Sequence, residues 1–109
     1  MRYEVLLTQD GQNDLEELHE YIAEHDSRER AEHVLDRIEA ALADLAAFPA
    51  RGPHPKELLA LGIREFRQTY FKPYRIVYRV DRSRVFVYLI ADGRRDLQTL
   101  LARRMLGAG

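Results

Sequence analysis

The chain has 109 residues, no cysteine and a formal net charge of −1. A length of this order predicts one domain over residues 1–109, burying roughly two-thirds of its unfolded surface without metals or disulfides. The lack of cysteine excludes a thiol nucleophile, a thiolate metal site and any dependence on an oxidising compartment.

The opening MRYEVLLTQD holds too short an apolar run for a signal peptide. No stretch approaches the ~20 apolar residues of a membrane span. A soluble, cytoplasmic protein is expected. The charge is lopsided: residues 1–62 carry six cations against fourteen acids, a balance of −8, and residues 63–109 carry eleven against four, +7. A surface built for an anionic partner fits this division, and so does an acidic layer that neutralises a basic one within the molecule.

RYEVLLT reads as a first strand, short, apolar and ended by polar residues. Thr8 is placed to cap a helix starting near Gln9, with Leu15, Leu18, Ile22 and His25 at helical spacing. Asp26 with Glu29 three residues on resembles a capping box for a second helix, which carries Ala31, Val34, Leu35, Ile38, Leu42, Leu45 and Phe48 on one stripe and stops at Pro49. About two residues separate the helices, so an antiparallel hairpin is expected. In PARGPHPKELLALG, Pro55 is placed to open a single helical turn that Gly62 ends.

Three strands follow, over 63–71, 74–81 and 84–91, the last two joined by a hairpin turn. In YRIVYRV the residues Tyr74, Ile76, Tyr78 and Val80 share one parity; Arg75, Val77 and Arg79 share the other. The first set is expected against the helices and the second on a largely open face. The 63–71 strand has no clean core parity, so a bulge is expected there. VFVYLIA is apolar on both faces and reads as central. Asp96 is placed to cap a final helix running to about Leu106. The fold class is α+β, in the order β-α-α-β-β-β-α, with three strands paired antiparallel and the first joining the same sheet.

This order, with PYRIVYRV, VFVYLIADGRRD and LLARRML, resembles the RelE/ParE superfamily of bacterial toxins of type II toxin–antitoxin systems, and the ParE-like branch in particular. The resemblance spans almost the whole chain. It implies a curved antiparallel sheet with a helical hairpin on one side and a concave groove on the other. It also implies a cognate antitoxin that wraps a partly disordered segment around the toxin. RelE-like members cut messenger RNA in the ribosomal decoding site; ParE-like members poison DNA gyrase. Matched position by position, the two arginines of the nuclease type fall on Arg75 and Arg95. Its two strand lysines fall near Phe66 and Gln68, and its C-terminal tyrosine near Leu101, so those three functions are not matched.

The chemistry of the residues agrees with that departure. A guanidinium binds phosphate bidentately but cannot relay a proton near neutral pH. Arg75, Arg79, Arg94 and Arg95 therefore read as an anion-binding surface without a proton shuttle. Tyr70, Tyr74, Tyr78, Tyr88, Lys72 and Glu65 are the shuttle candidates. His19, His25 and His33 lie on the acidic helices and His54 in the loop, without the spacing of a zinc helix, and no metal or other cofactor is expected. Arg82 and Arg84 read as solvated turn residues. Arg103 and Arg104 read as partners of a helix dipole.

The expected function is that of a ParE-like toxin with a cognate antitoxin and DNA gyrase as its partners, acting by binding and causing growth arrest. Arg67, Tyr70, Lys72, Arg75, Arg79, Arg94 and Arg95 form the expected groove for antitoxin or target. Two alternatives stay open: a ribosome-dependent messenger-RNA endonuclease using Arg75 and Arg95, and a non-toxic interaction module that keeps the fold.

Overall fold

The computed structural model describes residues 2–105. Its elements are β1 (Glu4–Leu7), α1 (Gln9–His25), α2 (Arg28–Ala47), a 3-10 turn (Pro49–Arg51), α3 (Lys56–Leu59), β2 (Phe66–Phe71), β3 (Tyr74–Asp81), β4 (Arg84–Asp92) and α4 (Leu97–Met105). The α+β order read from the sequence is present. The single turn between Pro55 and Gly62 is α3, and Gly62 leaves it at φ 77°, a backbone angle that glycine adopts at no steric cost. The expected helix end at Leu106 lies outside the described residues. No helix among the described residues is long and apolar enough to cross a membrane.

The helix starts follow local chemistry. Thr8 Oγ1 accepts the Gly11 N–H at 3.1 Å and donates to the Val87 carbonyl at 3.1 Å, so one side chain caps α1 and pins it to the sheet. The α2 cap is Ser27, not Asp26: its Oγ accepts the Arg30 N–H at 3.0 Å. Asp26 instead closes α1, its N–H bonding the Ile22 carbonyl at 2.9 Å. With only two residues in the connection, one ends the first helix and the other starts the second.

The sheet order is β1-β4-β3-β2. β2, β3 and β4 pair antiparallel through hairpins, and β1 joins β4 in parallel, from Glu4↔Arg84 to Leu7↔Val87. β4 is therefore central, as its apolar faces require. The bulge lies in β4 and not in β2. β2 pairs regularly from Phe66↔Arg79 to Phe71↔Tyr74. In β4 the register passes from Val77↔Leu89 to Tyr78↔Val87, leaving Tyr88 as the extra residue. The extra residue inverts the parity, so Val85, Val87 and Ile90 all meet the helical hairpin.

On that side Ile22, Val34, Ile38 and Leu42 of the helices pack on Ile76, Tyr78, Val85, Val87 and Ile90. The opposite face corrects the expectation of an open layer. Leu58 of α3 with Leu97 and Leu101 of α4 cover Phe66, Val77, Leu89 and Ala91 in a second core. Val77, expected beside two arginines on a wet face, is fully buried. Fully burying a leucine contributes about 1.5–3 kcal/mol, so Leu58 holds α3 down and Leu97 and Leu101 hold α4. β2 buries Phe66 in the second core and packs Phe71, of opposite parity, on the hairpin core, with Tyr70 exposed, which is why neither parity of its sequence reads as a clean core set.

Candidate functional site

Arg75 leaves β3 on the side of α3. Its stem runs beneath Gly93, where an added Cβ would stand 3.1 Å from Arg75 Cγ and Cδ and from the Pro73 carbonyl. Its guanidinium then meets Glu57 of α3 as a two-pronged pair, NH1 to Oε2 at 2.6 Å and NH2 to Oε1 at 2.9 Å. Gln68 of β2 accepts from Nε at 3.0 Å and also from NH2. Arg75 is only 6 % exposed. The hydrogen bonds from Arg75 hold the Glu57 carboxyl below its ordinary pKa of 4.5, against the opposing effect of burial. Arg75 does not line an open face. It is a buried, neutralised tie between α3, β2 and β3.

The other six expected groove residues are dispersed around this tie. Arg67 is half-buried and donates to the Gly52 carbonyl at 2.7 Å. Tyr70, the cross-strand neighbour of Arg75, is 49 % exposed. Arg79 is half-buried, flanked in register by Phe66 and Phe86. Lys72, Arg94 and Arg95 are exposed at the end of the sheet where Gly93 N–H bonds the Pro73 carbonyl at 2.7 Å. Arg94 is held by Asp92, at 2.9 Å and 2.5 Å, and that contact lowers the Asp92 pKa. Among the described residues the Arg95 side chain has no hydrogen-bond or ion-pair partner.

Of the expected proton shuttles, Tyr70 stands across the strand from Arg75 and Tyr74 lines a cleft with Arg94 and Arg95, while Tyr78 and Tyr88 are engaged elsewhere. The Tyr78 hydroxyl donates to the Pro49 carbonyl at 2.6 Å inside the core, and burial raises its pKa. Tyr88 packs edge-on against Phe66, with ring centroids 5.1 Å apart. Burial also raises the Tyr74 pKa. His19 reaches Glu32 at 3.1 Å across the hairpin, His25 stacks on Tyr21 at 4.2 Å, and His54 reaches the Phe66 carbonyl at 2.9 Å. No group of three or more His, Cys, Asp or Glu among the described residues could hold a metal ion.

Two features escaped the sequence. The first is Asp14 with Arg104, expected as a helix-dipole partner and found as a half-buried ion pair. NH1 meets Oδ2 at 2.7 Å and NH2 meets Oδ1 at 2.8 Å. Asp14 also accepts the Ile90 N–H at 2.9 Å, and Arg104 donates to the Tyr88 carbonyl at 3.0 Å. The bulge frees backbone groups beyond the end of β1, and this pair satisfies them. The second is a cleft of about 530 Å³ between α1 and the end of β4, with Tyr21, Tyr74, Ile22, Ile90, Glu17 and Arg95 among its lining.

Comparison with known proteins places this geometry. A family model described as the ParE toxin of the type II toxin–antitoxin system, parDE, matches residues 5–97. Toxin ParE3 of Caulobacter vibrioides is 30 % identical over 100 residues, covering 92 % of this chain and 96 % of that protein. Among solved structures, a chain of the chromosomal ParDE toxin–antitoxin system from P. aeruginosa superposes with a TM-score of 0.69 at 14 % identity, over 84 % of this chain and 96 % of that one. A chain of the toxin–antitoxin complex RelBE2 from Mycobacterium tuberculosis gives a TM-score of 0.58 at 24 % identity, over 84 % and 92 %.

Proposed function

The chain belongs to the family of ParE toxins of type II toxin–antitoxin systems, and from that premise we propose that it arrests growth by binding DNA gyrase and trapping it on broken DNA. It acts in the cytoplasm and is neutralised by a cognate antitoxin. The toxin–antitoxin assemblies among its structural neighbours support the antitoxin.

The observation that carries a binding mode of action is the Arg75–Glu57 pair. RNA cleavage of the nuclease type would call on the Arg75 and Arg95 guanidinium groups together to take the charge that develops on the phosphoryl oxygens, and among the described residues only Arg95 of the two is free for it. The Arg75 guanidinium is buried and already bound by a carboxylate of its own chain. The positions that match the nuclease-type lysines point the same way. Phe66 lies in the second core, and Gln68 is a ligand of Arg75. Leu101, at the tyrosine position, is fully buried.

The exposed members of the expected set remain for recognition: Tyr70, Lys72, Arg94 and Arg95, with Arg79 in part. An acidic and apolar antitoxin segment that folds on binding would take these cations. It would seat an apolar side chain in the cleft of about 300 Å³ between Phe48 and Tyr70. The test is a supercoiling assay with gyrase, ATP and plasmid. The expected result is accumulation of linear DNA with rising toxin, suppressed by the antitoxin. Unimpaired supercoiling at excess toxin would overturn the gyrase assignment.

A further inference from the structure

The cleft between α1 and the end of β4 has a definite chemical character. Its floor is apolar, from Leu18, Ile22 and Ile90. Two tyrosine rings, Tyr21 and Tyr74, stand at its sides. Tyr21 is 61 % exposed and is braced from behind by the His25 ring, 4.2 Å away. Arg95 lines it without a side-chain hydrogen bond or ion pair among the described residues, beside Arg94 and the Asp92 that holds Arg94. Glu17 and Asp14 line the α1 wall, and Asp14 is already engaged by Arg104 and the Ile90 N–H.

We propose that this cleft takes one unpaired nucleobase of a single-stranded nucleic acid, with the adjoining phosphate on Arg95. The volume of about 530 Å³ and the apolar, aromatic lining fit a small planar group. An exposed ring such as Tyr21 stacks a base of any identity, with the half-buried Tyr74 beside it, and a free guanidinium takes a phosphate. The Glu17 carboxylate accepts from an exocyclic amino group, the pairing that distinguishes cytosine from thymine. The backbone on either side of the base has further cations to follow: Lys72 in the neighbouring turn, Arg30 near Tyr74, and Arg37 over the Phe71 ring at 5.5 Å. A phosphate and a peptide carboxylate meet the same acidic wall; what favours the nucleotide is the tyrosine ring beside the apolar floor, on which a planar base stacks. This inference does not rest on the proposed gyrase target, since the binding can be present whether or not gyrase is inhibited.

The test is fluorescence anisotropy of the full chain with labelled ten-residue oligodeoxycytidine and oligocytidine, at low and at physiological salt. Either or both should bind, and the tighter arm identifies DNA or RNA as the source. Affinity should fall as salt rises. Tyr21→Ala and Arg95→Ala should each weaken binding by about fivefold or more, and Arg95→Ala should also flatten the salt dependence. Both side chains are exposed, and thermal melts of the variants check that the fold is kept. Glu17→Gln should narrow the preference for oligodeoxycytidine over oligodeoxythymidine. No binding of either oligonucleotide at low salt, or equal affinity in the wild type and both alanine variants, would overturn the proposal. So would an oligoglutamate peptide that binds with the same Tyr21 dependence while the oligonucleotides do not.

Discussion

Glu57 and Arg75 lie eighteen residues apart, and each closes the other's charge beneath the surface, at 2.6 Å and 2.9 Å. One sits on a helix of a single turn and the other is the second residue of β3. The pair fastens α3, and with it Leu58, over the second core.

Glu57→Ala would leave a guanidinium buried with only Gln68 as a partner. A loss of about 3 kcal/mol is expected, which for a chain of this size lowers the melting temperature by about 10 °C or more. Glu57→Gln keeps one hydrogen bond and should lose less. Thermal melts at neutral pH compare the three proteins. A Glu57→Ala protein as stable as the wild type would mean that the pair contributes nothing.

The same pair sets an acid limb of stability. Arg75 depresses the Glu57 pKa from its ordinary 4.5, so the unfolded chain binds the proton more readily than the folded one. The stabilisation is complete above the unfolded value and is lost as pH falls through the lower folded value. As pH falls below the ordinary value of 4.5 the wild type should therefore lose stability more steeply than Glu57→Gln. Parallel curves for the two proteins would contradict this.

Asp14 and Arg104 should behave as a coupled unit, because they share the bulge backbone as well as each other. A double-mutant cycle with Asp14→Asn and Arg104→Ala should give a coupling above about 1 kcal/mol. The Ile90 amide, bonded to Asp14 at 2.9 Å, should exchange faster in Asp14→Asn, where the weakened acceptor no longer holds Arg104. Additive losses and an unchanged Ile90 exchange rate would rule out the link.

Arg82 carries φ 57° in the β3–β4 turn, an angle that costs an ordinary side chain about 1–2 kcal/mol. Asparagine tolerates this region better, and Arg82 is exposed. Arg82→Asn should raise stability by about 0.5 kcal/mol, read as a higher denaturant midpoint with an unchanged slope. A lower midpoint would show that the arginine does something the turn geometry does not reveal.

The legible part of this fold was whatever follows from a local period. The alternation in YRIVYRV marked Ile76 and Tyr78 as facing the helical hairpin, and both are fully buried there. The other parity read as wet because arginine is usually solvated. Its partner Glu57 is distant in sequence and sits on a turn with no amphipathic length to betray its direction. The Tyr88 bulge was silent because VFVYLIA is apolar on both parities, so a shift by one residue leaves no trace in the pattern. Arg104 looked like a helix-end cation for the same reason as Arg75: its carboxylate partner comes from an element 90 residues earlier.

The central claim is that the Arg75 guanidinium is occupied within its own chain and is not available to a scissile phosphate. Primer extension on messenger RNA held by translating ribosomes tests it most directly, with wild type and Arg75→Ala side by side. The account predicts that the toxin leaves the message uncut at the decoding site in both cases. Codon-specific cuts made by the wild type and lost in Arg75→Ala would contradict it.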